Sequence, residues 1–210
     1  MTEDELFESV ASRRSCLADQ LEALTDEQWD APSLCAGWKV RHVVGHLVSL
    51  QVVPTWRFLV GTVGLSGFHR KVDRFAREFG ERDRSELLTR YRDLVGSRKA
   101  PPRLGPMAPL IDVVIHSRDI GKPLGLPSIL EGPVAPAVLT AMARGFAVMA
   151  PKSRSTGLRL ETNDIDWAFG SGALVRGSAG DVALALGGRP GALDDLDGPG
   201  VDLLRSRLAR

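Results

Sequence analysis

With 210 residues, 43% hydrophobic and 25% charged, the chain has the makings of a soluble globular protein that builds its core without staples. A formal net charge of +1, with eight Lys or Arg against eight Asp or Glu over residues 151–210, leaves no basic patch of the kind that holds nucleic acid. No signal peptide is expected from the acidic opening MTEDELFESV, His46, Gln51, Pro54 and Arg57 interrupt the most apolar stretch (43–68) so that no membrane span is expected, and two cysteines are too few for a disulfide framework; the expected address is the cytoplasm.

Thr2 and Glu5 form a capping-box pattern, after which Leu6, Val10, Leu17, Leu21 and Leu24 recur at helical spacing. Thr25 and Gln28 repeat the box for a short helix ending before Pro32. Gly37 and Trp38 lead into a second long helix with Val40, Val43, Val44, Leu47 and Val48 on one stripe, and glycines 61, 64 and 67 suggest a loop. Asp83 and Glu86 open a third helix whose apolar face is Leu87, Leu88, Tyr91, Leu94 and Val95; it stops at Gly96, before the connection marked by Pro101, Pro102 and Pro106. A fourth helix is expected from about Met107 to Ile120, and a further one from about Pro133 to Met149.

After Pro151 the period changes. Leu158, Leu160 and Thr162 alternate with polar residues, as do Ile165, Trp167 and Phe169 after Asn163-Asp164, which reads as strand, turn, strand. A third strand near Ala173 to Arg176 precedes helices at about Asp181 to Leu186 and Val201 to Leu208. The expected fold is therefore α+β and mostly helical: a four-helix bundle over residues 1–150, then a small α+β domain over 151–210.

The fourth helix, PLIDVVIHSRDIGKPLG, carries the chemistry. Leu110, Ile111, Val113, Val114 and Ile115 point in almost every direction around its axis, so it should be buried. Asp112 and His116 nevertheless lie one turn apart on one face, and a buried carboxylate costs several kcal/mol, at the order-of-magnitude level, unless something neutralises it. A hydrogen-bonded core Asp–His pair would do this; so would a metal. His46, flanking an apolar stripe in VVGHL, should also face the bundle interior and tips the reading towards a metal held by His46, Asp112 and His116. Two imidazoles and a carboxylate suit zinc, nickel or ferrous iron, zinc being the usual choice in three-ligand catalytic sites.

PSLCAGWKVRHVVGHL followed much later by DVVIHSRDIGKPLG resembles the mycothiol-dependent maleylpyruvate isomerase family, within the DinB-like metal-binding bundles. The tail GLRLETNDIDWAFGSGALVRGSAGDVALALGGR is similar to that family's small sterol-carrier-like C-terminal domain. The resemblance implies that His46, Asp112 and His116 are the metal ligands, Asp112 standing where the isomerases have Glu. It implies a divalent metal, mycothiol as thiol cosubstrate and a small electrophile such as a cis-unsaturated dicarboxylate. It links Arg189 in ALGGRPG to the active cleft as a catalytic and cofactor-binding residue, since guanidinium suits a carboxylate. A thiol S-transferase, a zinc hydrolase and a non-catalytic metal- or ligand-binding protein are the alternatives on the same residues.

Four side chains keep two readings. Asp119 fits an acceptor for an imidazole N–H or a solvated helix-end carboxylate. His42 is expected at the surface or hydrogen-bonded rather than on a metal. Cys35, just ahead of a helix start where a thiolate would be stabilised, offers itself as a nucleophile, but with no base identifiable beside it is expected to pack as a small hydrophobe. Trp38 anchors helices or, as a cofactor contact, lines the pocket. His69 has no partner in sequence and is assigned nothing.

Overall fold

The computed structural model describes residues 1–61, 64–146 and 149–209, which form two compact units, Met1–Ile129 and Leu130–Arg210. No described helix is long and apolar enough to cross a membrane.

In the first unit the helices run α1 (Glu3–Glu22), α2 (Asp26–Trp29), α3 (Val40–Val52), α4 (Thr55–Leu59), α5 (Gly64–Gly80), α6 (Arg84–Asp93) and α7 (Met107–Leu124). Both capping boxes form, Thr2 with Glu5 and Thr25 with Gln28, and Asp83 caps α6 through the backbone N–H groups of Ser85 and Glu86. Helix α3 is the hub: it packs against α5, α6 and α7, while α1 covers α6 and α7. Lys99 satisfies the end of α3, its ammonium donating to the carbonyls of Leu50, Gln51 and Val53 at 2.8–3.0 Å.

Helix α5 is where the structure departs from the loop expected around glycines 61, 64 and 67 (residues 62 and 63 lie outside the described residues). The helix begins at Gly64 itself. Phe68, Val72, Phe75, Ala76 and Phe79 supply a helical stripe, the last three buried, and tertiary packing on α3 outweighs the poor propensity of the glycines at its start. The crossing is close because it is made through glycines. A Cβ on Gly45 would stand 2.5 Å from the nitrogen of Gly80 and nearer still to the carbonyl oxygen of Ala76, and one on Gly80 would meet His42 and Arg41 at 2.8–2.9 Å.

The second unit opens with α8 (Val134–Arg144), followed by a 3-10 turn (Lys152–Arg154), β1 (Leu158–Thr162), β2 (Ala168–Gly170), β3 (Ala173–Gly177), α9 (Ala179–Leu186), a second 3-10 turn (Pro190–Asp195) and α10 (Val201–Leu208). The sheet order is β2-β1-β3, with β1 antiparallel to β2 and parallel to β3, so that Leu160 pairs with Phe169 on one side and Val175 on the other. Trp167, expected within the second strand, lies just before it.

The units divide some twenty residues before the boundary that the change of period suggested. Helix α8, read from sequence as a bridge at the end of the bundle segment, packs with the sheet unit: it lies on α9, its Thr140 accepts a hydrogen bond from the Trp167 indole at 3.0 Å, and Ser155 Oγ donates to the carbonyl of Ala143 at 2.6 Å. The helix also stops at Arg144 instead of Met149. Gly145 takes φ +98°, a left-handed conformation that ends the helix, and Phe146 bridges back to Ala150; the expected continuation through 147 and 148 lies outside the described residues.

Candidate metal centre

Helices α3 and α7 bring His46, Asp112 and His116 together, as the spacing predicted. Asp112 Oδ1 lies 3.4 Å from His46 Nε2 and 3.5 Å from His116 Nε2, and the two imidazoles meet edge to face with centroids 4.6 Å apart. A tetrahedral ion with bonds of about 2.0–2.2 Å holds neighbouring N and O donors about 3.3–3.6 Å apart. Both Asp–His separations match that spacing, all three donor atoms lie within 4.8 Å of one another, and the short Asp side chain reaches both imidazoles without the extra methylene of Glu. Both histidines are buried and Asp112 is partly so.

A second cluster abuts the first on the far side of His116. Asp119, fully buried, places Oδ2 2.9 Å from His116 Nδ1 and accepts from the Cys35 thiol at 3.0 Å; Cys35 Sγ is 3.7 Å from His116 Nδ1. Asp119 thus binds the imidazole nitrogen that faces away from Asp112, leaving Nε2 for the centre. These contacts correct the expectation that Cys35 has no base beside it. The separations of 2.9 and 3.0 Å are those of hydrogen bonds; an ion would space thiolate and carboxylate about 3.5 Å apart.

Electrostatics favour a cation at the first cluster. Burial raises the Asp112 pKa, but the hydrogen bond to His46 and the charges of His46, His116 and Arg14 outweigh it and hold the carboxyl below its ordinary value. For His116 burial acts against the charged form, yet Cys35, the hydrogen bond to Asp119 and the charge of Asp112 push its pKa up to about 10. Its folded-state value exceeds the ordinary imidazole value of 6.5, so this protonation stabilises the metal-free fold fully below about pH 6.5 and the contribution is lost as pH rises through about 10. With Nδ1 committed to Asp119, the extra proton sits on Nε2, where it competes with an ion. Metal uptake near neutral pH is therefore expected to release about one proton per chain from His116, and affinity should weaken as pH falls. Calorimetric titrations in buffers of different ionisation enthalpy check this; uptake without proton release would rule out Nε2 of His116 as a ligand.

Other assignments sort out as follows. The Trp38 ring lies 5.4 Å from that of His46, and its indole donates to Asp73 Oδ1 at 2.7 Å, which together with Arg77 holds the Asp73 carboxyl below its usual range. His42 is hydrogen-bonded as expected but not at the surface: buried at the start of α3, it meets Glu81 at 2.9 Å and accepts from the Lys39 N–H. His69 is exposed. Arg189 belongs to the second unit, where it precedes the second 3-10 turn and donates to the carbonyl of Gly187 at 2.6 Å.

Sequence reasoning missed Arg14 and placed Tyr91 only on an apolar helix face. Arg14 is 5% exposed and donates through Nη1 to the carbonyls of Leu94 and Ser97, while its charge acts on Asp112. The signal was available: Arg14 falls on the buried stripe of Val10, Leu17 and Leu21, where a charge is out of place. Tyr91, also buried, keeps its hydroxyl protonated far above the ordinary range through burial, opposed by Arg14 and assisted by Asp112.

Comparisons with known proteins bear on the fold. Residues 10–55 match the model of the mycothiol maleylpyruvate isomerase N-terminal domain, a segment that includes Cys35, Trp38 and His46. Two solved structures share the fold: the mycothiol-dependent maleylpyruvate isomerase (TM-score 0.60) and a His-to-Ala mutant of it (TM-score 0.57). Each is 16% identical and covers 95% of this chain and 93% of its own. No curated protein matches the sequence.

Proposed function

We propose that this chain, whose N-terminal domain and fold follow those of the mycothiol-dependent maleylpyruvate isomerase family, is a thiol-dependent metalloenzyme acting on a small electrophile such as a cis-unsaturated dicarboxylate. The observation that carries the reading is the convergence of His46, Asp112 and His116, at separations suited to one ion, beside a protonation pattern that an ion would relieve.

His46, Asp112 and His116 would hold a divalent ion, zinc on ligand chemistry, which when bound would lower the pKa of a coordinated thiol. Asp112 provides the negative charge that two neutral imidazoles lack, and Asp119 keeps His116 oriented with Nε2 free. Trp38, beside His46 and held by Asp73, is assigned to contact with the thiol cosubstrate. Arg189 is assigned to recognition of a carboxylate, for which its planar guanidinium is suited. Addition of a thiolate to an activated cis double bond, rotation about the resulting single bond and loss of the thiol give the trans isomer with no net consumption of thiol. The chain therefore needs no nucleophile of its own. Cys16 and Cys35 are not joined in a disulfide, which fits a cytoplasmic address.

The test is spectroscopic. Cobalt-substituted protein titrated with mycothiol is expected to develop a sulfur-to-metal charge-transfer band, and isomerisation of a cis-enedioate should require the thiol. A band with thiol transfer but no isomerisation would make the protein an S-transferase. Full metal occupancy with no response to any low-molecular-weight thiol would sink the thiol-enzyme reading and favour a hydrolase using the same residues.

A further inference from the structure

We infer that Cys35 is a positioning residue for the metal centre, acting on His116 through Asp119; the inference rests on the reading of His46, Asp112 and His116 as metal ligands. The Cys35 thiol donates to Asp119 Oδ2 at 3.0 Å, and the same oxygen lies 2.9 Å from His116 Nδ1. One carboxylate oxygen therefore receives both the thiol proton and the imidazole proton. Asp119 is fully buried, and because its Oδ2 meets His116 Nδ1 at 2.9 Å a shift of that carboxylate would shift the imidazole with it. The thiol supplies a donor that restricts that shift.

The segment carrying Cys35 is built to hold it there. The Leu34 N–H donates to the backbone carbonyl of the same Asp119 at 3.0 Å, so loop and helix α7 are joined twice at one residue. Within the loop, Ser33 Oγ accepts from the Cys35 N–H at 3.2 Å and donates to the Trp38 carbonyl at 2.9 Å, and the Trp38 N–H donates to the Cys35 carbonyl at 2.9 Å. The turn is thus closed on itself, with Trp38 at its end fixed to Asp73 and its ring beside His46. A single short loop reaches both imidazoles of the centre: His116 through Cys35 and Asp119, His46 through Trp38.

A role as simple filler and a role as a metal ligand make different predictions, and three substitutions separate them. Serine keeps a donor and removes bulk; valine keeps bulk and removes the donor; alanine removes both. Positioning through the hydrogen bond predicts that Cys35→Ser binds cobalt within about 3-fold of the parent protein. Cys35→Val and Cys35→Ala should each lose about 10-fold or more, the scale seen when a ligand's hydrogen-bonding partner is removed. The ligand-field bands of the cobalt protein should shift in the valine and alanine variants and not in the serine variant. Filling predicts the reverse order, with valine intact and serine impaired, and that result would overturn the inference. So would a sulfur-to-cobalt band in the parent protein with no thiol added, abolished in Cys35→Ser, because Cys35 would then be a ligand. Failure of the parent protein to take up cobalt would instead refute the metal reading itself, which keeps the two failures distinct. Should Cys35→Val not fold, the contrast between alanine and serine still decides.

Discussion

Replacing His46 or His116 by alanine is expected to strip the protein of stoichiometric metal while leaving the bundle folded. Each histidine contributes one of three donors, and their Nε2 atoms flank a single carboxylate oxygen at 3.4 and 3.5 Å. Loss of a donor should exceed the roughly 10–100-fold cost of losing a partner that merely orients one. Protein purified without chelator should carry about one divalent ion per chain, and either variant close to none. Asp112→Asn should behave similarly, since it preserves volume and removes the charge that balances the ion. Asp112→Glu should retain metal, the longer side chain offering the same carboxylate. Elemental analysis with circular dichroism as a folding control makes the measurement. Full occupancy in both histidine variants would show that the ion lies elsewhere. The alternative donor set of Cys35, His116 and Asp119 would lose metal in His116→Ala but keep it in His46→Ala, so the pair of variants distinguishes the two clusters.

The second large effect lies in the scaffold that carries His46. Gly45→Ala is expected to destabilise the protein by more than about 3 kcal/mol, at or beyond the upper end of overpacking costs. The new methyl group would fall 2.5 Å from the nitrogen of Gly80 and closer to the carbonyl of Ala76, both backbone atoms of α5 that cannot swing aside. Relief requires parting α3 from α5 along their whole contact. At roughly 2–4 °C per kcal/mol for a chain of this size, Tm should fall on the order of 10 °C. Gly96→Ala is the control, because nothing stands within 4 Å of its added methyl and its backbone is not left-handed, so Tm should barely move. A stable Gly45→Ala variant would mean that the helices do not cross through these glycines. His46 is the next residue along α3, so any variant that folds with the helices parted should also bind metal less tightly.

The sequence by itself determined which residues form the candidate donor set, the helices that carry them and the change from helical to alternating period after Pro151. The reason is local. Asp112 and His116 stand one turn apart on a helix that is otherwise apolar, His46 flanks an apolar stripe, and capping boxes mark two helix starts; each signal depends on residues within a few positions of one another.

What only the tertiary structure decided depends on residues far apart in the chain. Helix α5 exists because Phe75, Ala76 and Phe79 bury themselves on α3, which outweighs the glycines that locally favour a loop. Helix α8 belongs to the sheet unit because Thr140 and Ala143 bond to Trp167 and Ser155, partners that helical periodicity cannot name. Cys35 reads as a small hydrophobe until the chain closes 84 residues of separation and sets its thiol against Asp119. Arg14, a charge on a core stripe, signalled by its position that it had a buried partner, but that its field falls on Asp112 follows only from the packing of α1 on α7. Periodicity reports which face a residue occupies; the packing of one element on another decides what that face meets.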